Sequence, residues 1–110
     1  MLAPISENLI VNLLALPPPP IQRLRLGQLL VTPAALAALQ AANVSAYVLL
    51  NRHAKRDWGN VSRSDWKQND LAADAGLRVL SSYTLSNEQS VWIVTEADRS
   101  ITTVLLPDEY

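Results

Sequence analysis

The chain has 110 residues, 49% hydrophobic and 17% charged, with a formal net charge of −1. That supports one domain with a buried core and argues against disorder and against a protein that coats nucleic acid by charge alone. There is no cysteine and a single histidine, His53, so disulfides and thiolate metal sites are excluded, and no metal or cofactor is expected.

Residues 1–20 read as a leader and residues 21–110 as a single domain. In the leader, Ser6 caps a helix over 7–16 that places Leu9, Ile10, Leu13 and Leu14 in one apolar stripe. Four prolines at 17–20 end it and impose a stiff extended segment. So short a helix is not stable by itself, so the stripe packs either on its own domain or in a homodimer contact. The longest apolar runs are far short of a membrane span and no secretory signal opens the chain, so a cytoplasmic location is expected.

Residues 21–31 alternate through Arg23, Leu24, Arg25 and Leu26, then become continuously apolar, which predicts a strand ending near Thr32. Thr32-Pro33 starts a helix over 34–42, with Ala35, Leu36, Leu39 and Ala42 on one face and Asn43 as its left-handed stop. Ser45 caps a second helix over 46–58, closed by Gly59, in which Ala46, Leu49, Leu50, His53 and Asp57 share a face. Ser62 or Ser64 starts a third over 65–75, stopped by Gly76. Three strands follow, over 78–85, 91–95 and 101–106, with turns at 86–89 and 96–100. The last two are apolar at nearly every position, so they read as a central hairpin covered on both faces. The fold class is therefore α+β: helices packed on a small antiparallel sheet of three to four strands, with the segment before Thr32 as a fourth strand at an edge.

Charge collects in two places. Arg52, Lys55 and Arg56 flank His53 beside Asp57 and Trp58, a patch able to meet phosphate or an acidic partner. His53 itself suits a packed imidazole near a helix C-terminus. The Glu96–Arg99 corner is either a turn, in which Asp98 bonds backbone and Glu96 pairs with Arg99, or half of a site. As a site, His53 and Glu96 would act as acid and base. Arg78 and Arg99 would clamp a phosphate, and Thr95 or Thr102 would donate a hydrogen bond, as in a metal-independent toxin-like ribonuclease. Trp58 and Trp66 suit core or rim packing better than base stacking.

From about Arg25 onward the chain resembles a family of small proteins carried on plasmids and integrative elements, often labelled "type I restriction endonuclease subunit M" or "plasmid-related protein". The matching residues are Leu26-Gly27-Gln28 with Val31-Thr32-Pro33; His53, Asp57-Trp58-Gly59, Asp65 and Asn69; Gly76, Arg78, Leu80-Ser81-Ser82-Tyr83 and Trp92-Ile93; then Thr95 to Ser100, Thr102-Thr103 and Leu105 to Tyr110. One departure is Arg56, where the family has glycine. The label does not carry over as chemistry, because the glycine-rich turn and Asp/Asn-Pro-Pro-aromatic pocket of a methyltransferase are both missing from the sequence. The resemblance implies an accessory protein of a mobile element, acting in regulation or against host defence by binding a host protein or nucleic acid without catalysis. The ribonuclease is the competing reading.

Overall fold

Proline has no backbone N–H to give and its ring presets a helical φ, so a helix announced by Thr32-Pro33 begins at the proline. In the computed structural model, which describes residues 22–110, helix α1 spans Pro33–Ala41, and Thr32 Oγ1 accepts the Ala35 N–H at 3.1 Å. The leader helix and its apolar stripe lie outside the described residues. Ala35, Ala38 and Leu39 form the buried face of α1, while Leu36 is turned outward. Asn43 enters the left-handed region at φ 56° and the chain restarts as α2, Ala46–Ala54, under a Ser45 cap.

Helix α2 stops at Ala54 and does not reach residue 58. Arg56 takes φ 66°, its N–H returning to His53 C=O at 3.0 Å and the next N–H, of Asp57, to Arg52 C=O at 2.9 Å. That pair of bonds is a Schellman closure with an arginine in the position where glycine is cheapest. Gly59 therefore ends no helix. Helix α3, Arg63–Ala75, starts at Ser62, whose hydroxyl accepts the Asp65 N–H at 3.0 Å, and stops at Gly76.

The strands are β1 (Gln28–Val31), β2 (Val79–Thr84), β3 (Ser90–Thr95) and β4 (Ile101–Leu105), hydrogen-bonded in the order β1-β4-β3-β2. The C-terminal hairpin is central, as its composition indicates, and β1 is an edge. The sheet is mixed and not purely antiparallel, because β1 runs parallel to β4. The connection between those two strands carries all three helices and β2–β3, a path long enough for a parallel return.

Strand alternation points Val79, Ser81 and Tyr83, Val91, Ile93 and Thr95, and Thr102 and Val104 at the helices, and all eight are buried. Ala35, Leu39, Leu49 and Leu50 close on the middle of this face, while Trp58 packs with Leu24 and Val79 at its far side. All three helices lie on this one side. The other face of the hairpin is also covered in part: Val94 and Leu105 are buried there, Leu80, Trp92 and Thr103 are half-buried, and Tyr110 stands edge-on to Trp92 at 5.6 Å.

The two sheet edges differ. The outer edge of β2 is closed by the chain itself: Ser82 N–H gives to Trp58 C=O at 3.1 Å and Asn60 N–H to Ser82 C=O at 2.6 Å. Asn69 of α3 completes the closure, donating to Leu80 C=O at 2.8 Å and accepting Leu80 N–H at 3.2 Å. The loop comes this close only because position 59 is glycine; a Cβ there would collide with Ser82 C=O and the Tyr83 ring. Strand β1 is exposed along its whole length.

Candidate functional site

His53 sits on the inner face of α2, in its last turn, and has no exposed surface. Its Nδ1 meets Ser81 Oγ at 2.5 Å and its Nε2 meets Thr95 Oγ1 at 2.8 Å. Thr95 Oγ1 in turn meets Thr102 Oγ1 at 2.7 Å, and Thr102 gives its proton to Leu26 C=O at 2.7 Å. Each hydroxyl has one proton, so the chain of bonds has one polarity. Thr102 has spent its proton on Leu26, so Thr95 donates to Thr102. Thr95 must then accept from His53 Nε2–H, which leaves Nδ1 to accept from Ser81. The ring is neutral with both nitrogens occupied. Burial first, and the charge of Arg99 second, push its pKa from 6.5 down to about 3. Trp58 meets the ring edge-on at 5.5 Å. The polar groups thus tie α2 to β2, β3, β4 and the segment before β1.

The other members of the ribonuclease set do not join it. Thr95 points at the helices, so Glu96 points to the opposite face, where its carboxylate pairs with Arg78 at 3.1 Å. Arg78 also donates to Tyr110 Oη at 3.0 Å, an exposed cluster on the far side of the sheet from the imidazole. The 96–100 corner is a turn: Asp98 Oδ1 accepts from Ser100 N–H at 3.0 Å and from its hydroxyl at 2.6 Å. These bonds hold the Asp98 carboxyl below its ordinary pKa. Glu96 does not pair with Arg99. Arg99, at φ 61°, turns back under α3 and donates to the carbonyls of Leu77 (2.7 Å), Glu96 (3.1 Å), Ala72 (3.2 Å) and Ala73 (3.3 Å). Its guanidinium closes the C-terminus of α3, where the unpaired carbonyls and the helix dipole favour a cation.

The patch expected beside His53 is divided. Arg52 grips Asp57 with two bonds, of 2.7 and 3.2 Å, and lies 4.7 Å over the Tyr83 ring. The bond from Arg52, then the N–H of Gly59, hold the Asp57 carboxyl below its usual range. Lys55 caps α2 and is exposed. Trp58 is wholly buried, its indole N–H on Asp70 at 2.9 Å, so it presents no stacking surface.

Arg56 turns the other way, into a cavity of about 200 Å³ lined by Gln22, Arg23, Leu24, Arg25, Arg56, Ala73, Asp74 and Arg99. Four of the nine lysines and arginines of the chain meet there against one carboxylate. Arg56 gives Nη2 to Asp74 at 2.8 Å and Nε to Gln22 C=O at 3.2 Å; Arg23 reaches Asn51 at 3.2 Å. Among the described residues Arg25 makes no ion pair. Arg23 and Arg25 were absent from the patch read from the sequence. Their signal was the alternation Arg-Leu-Arg-Leu, which in an extended segment puts both guanidinia on the side opposite Leu24.

Among the described residues no group of three or more His, Asp or Glu is gathered as a metal site would need, and no single helix is long and apolar enough to cross a membrane. The chain matches no protein-family profile, no curated protein and no solved structure.

Proposed function

We propose that the chain is a non-catalytic binding module, an accessory protein of the mobile-element kind its sequence resembles, which engages a host partner through anionic oxygens held in the arginine cavity. The convergence of Arg23, Arg25, Arg56 and Arg99 on about 200 Å³, in a chain of net charge −1, carries the reading. Arg99 and Arg56 already give N–H groups to carbonyls and to Asp74 and so contribute mainly charge, while Arg25, which makes no ion pair among the described residues, is left to offer the paired N–H groups that match phosphate or carboxylate oxygens. Phosphates of a nucleic acid and acidic side chains of a protein supply the same chemistry. The absence of catalysis is supported by the neutral, enclosed His53 and by the separation of Glu96 and Arg78 from it.

The test is a titration with single- and double-stranded RNA and DNA and with an acidic peptide, at two salt concentrations. Binding is expected to be weak and to fall with salt, by a slope of roughly 0.7–0.9 per phosphate engaged. Arg25→Glu should remove it, and Arg63→Glu, on the exposed first turn of α3, should weaken it little. Failure of every polyanion to bind at low salt, or binding indifferent to Arg25→Glu, would refute the proposal.

A further inference from the structure

The open edge of the sheet borders an apolar groove of about 350 Å³, floored by Leu50 and Val104 and walled by Leu29, Val31, Leu36 and Tyr47. The exposure is large for such residues: Tyr47 is 73% exposed and Val48 beside it 56%. Six of the nine large apolar side chains left exposed in the described residues, namely Leu29, Leu30, Val31, Leu36, Tyr47 and Val48, gather at this one edge. The β2 edge, by contrast, is sealed by Asn69 and residues 58–60. An apolar edge left open where the other is closed needs a cover.

We infer that the cover is the leader of the same chain, with the Leu9/Ile10/Leu13/Leu14 stripe laid in the groove. Three observations select it over other occupants. The first is chemistry: the groove wall is mostly apolar, and residues 1–21 hold a single charged side chain, Glu7, so their stripe has the same need for burial. The second is reach. The described chain begins at Gln22, and Arg23 lines a neighbouring cavity together with Leu29, Tyr47 and Leu50, three residues shared with the groove. Gln22 itself lines the arginine cavity, so the leader is tethered one cavity away from the groove and must turn back over Arg23 to reach it. Four prolines in extended form span about 12 Å, and a ten-residue helix is about 15 Å long, against about 13 Å for a four-residue strand. The third is concentration. A tether this short holds the stripe at an effective concentration on the order of millimolar, which a separate copy does not match in dilute solution.

The native chain has no cysteine, so a disulfide trap reads the contact without background. In the full-length chain, Leu13→Cys combined with Val48→Cys should oxidise to an internally linked monomer. Its yield should be at least tenfold that of Leu13→Cys with Asn87→Cys, in the turn beyond the sealed edge. Adding Leu29→Asp should return the yield to the control level while circular dichroism stays unchanged. A product linked only between two chains would overturn the inference in favour of a second copy's leader. A yield equal to the control would overturn it in favour of an outside partner. Neither result touches the arginine cavity, whose salt-dependent binding is measured separately.

Discussion

The His53 ring is held in the core by the Ser81 and Thr95 hydroxyls and by the edge of Trp58, so its loss is felt in stability. Removing the ring leaves the Ser81 hydroxyl without its acceptor and the Thr95 oxygen without its donor, inside a cavity once filled by an imidazole. His53→Ala should cost about 3–5 kcal/mol, the sum of a core deletion and unpaired hydroxyls, read as the shift of the urea midpoint. Wild type should leave RNA uncut under metal-free conditions; cleavage to a cyclic phosphate end, lost in His53→Ala with folding intact, would restore the ribonuclease. The depressed pKa gives a second test. The unfolded ring takes a proton as pH falls through 6.5, and the folded ring only near 3, so stability drops over that window. The steepest slope is about 1.4 kcal/mol per pH unit. The Asp57 and Asp98 carboxyls, lowered from 3.8, and that of Glu109, lowered from 4.5, add their own loss only in the lower part of that window. Urea midpoints should therefore fall between pH 7 and pH 5.5 for wild type and stay nearly flat over that interval for a folded His53→Gln chain.

Arg56 offers a second expectation at this scale. Arg56→Gly and Arg56→Ala lose the same bonds to Asp74 and Gln22, but only alanine keeps a Cβ at φ 66°. The glycine variant should be the more stable of the two by about 1 kcal/mol. Equal melting temperatures would mean that the left-handed turn carries no strain. Helical spacing alone placed His53 at the border of the buried stripe of α2, and the structure encloses it completely. Its partners were not legible, since Ser81 and Thr95 lie 28 and 42 residues away and a hydroxyl on a strand looks alike facing core or water.

Among elements, the sequence was most legible where backbone chemistry is local. Thr32, Ser45 and Ser62 cap their helices as their side chains require, and Asn43 and Gly76 stop two of them. The end of α2 was misplaced because a positive φ at arginine has no signal in composition. The expected Glu96–Arg99 pair does not form for a different reason: the better site for Arg99 is the carbonyls at the end of α3, an element distant in sequence. The sealed edge supplies the test at this scale. Gly59→Ala forces a methyl against Ser82 C=O and Tyr83 and should cost about 3 kcal/mol or more, as overpacking does. Gly76→Ala also holds a positive φ but meets nothing within 4 Å, so it should cost only about 1 kcal/mol. Asn69→Leu fills the same space without satisfying Leu80 N–H and C=O, and should cost about 1–3 kcal/mol.

For the molecule as a whole, the α+β order of helices before sheet followed from where the 3.6- and 2-residue periods fall, and the hairpin's central place from its unbroken apolar run. The parallel pairing of β1 was not legible, because the partner of a four-residue strand is chosen by the packing of everything between. The core formed by Leu39, Leu50, Tyr83, Ile93 and Val104 is closed by helices and strands that all lie within the described residues. A chain beginning at Ile21 should therefore melt in one cooperative transition; its loss would make the leader part of the core.

The unequal edges also fix how far this molecule can assemble. In the language of polymer chemistry, a unit with two reactive ends propagates, whereas a unit with one is a chain stopper. Strand β1 is a reactive end, and the Asn69–Gly59 seal on β2 makes the other end inert. Two copies stripped of their leaders can join β1 to β1, and the product then has inert ends on both sides. Light scattering on the chain beginning at Ile21 should find monomer and dimer at any concentration and nothing larger, whereas breaking the seal with Asn69→Leu should let the mass grow without a plateau.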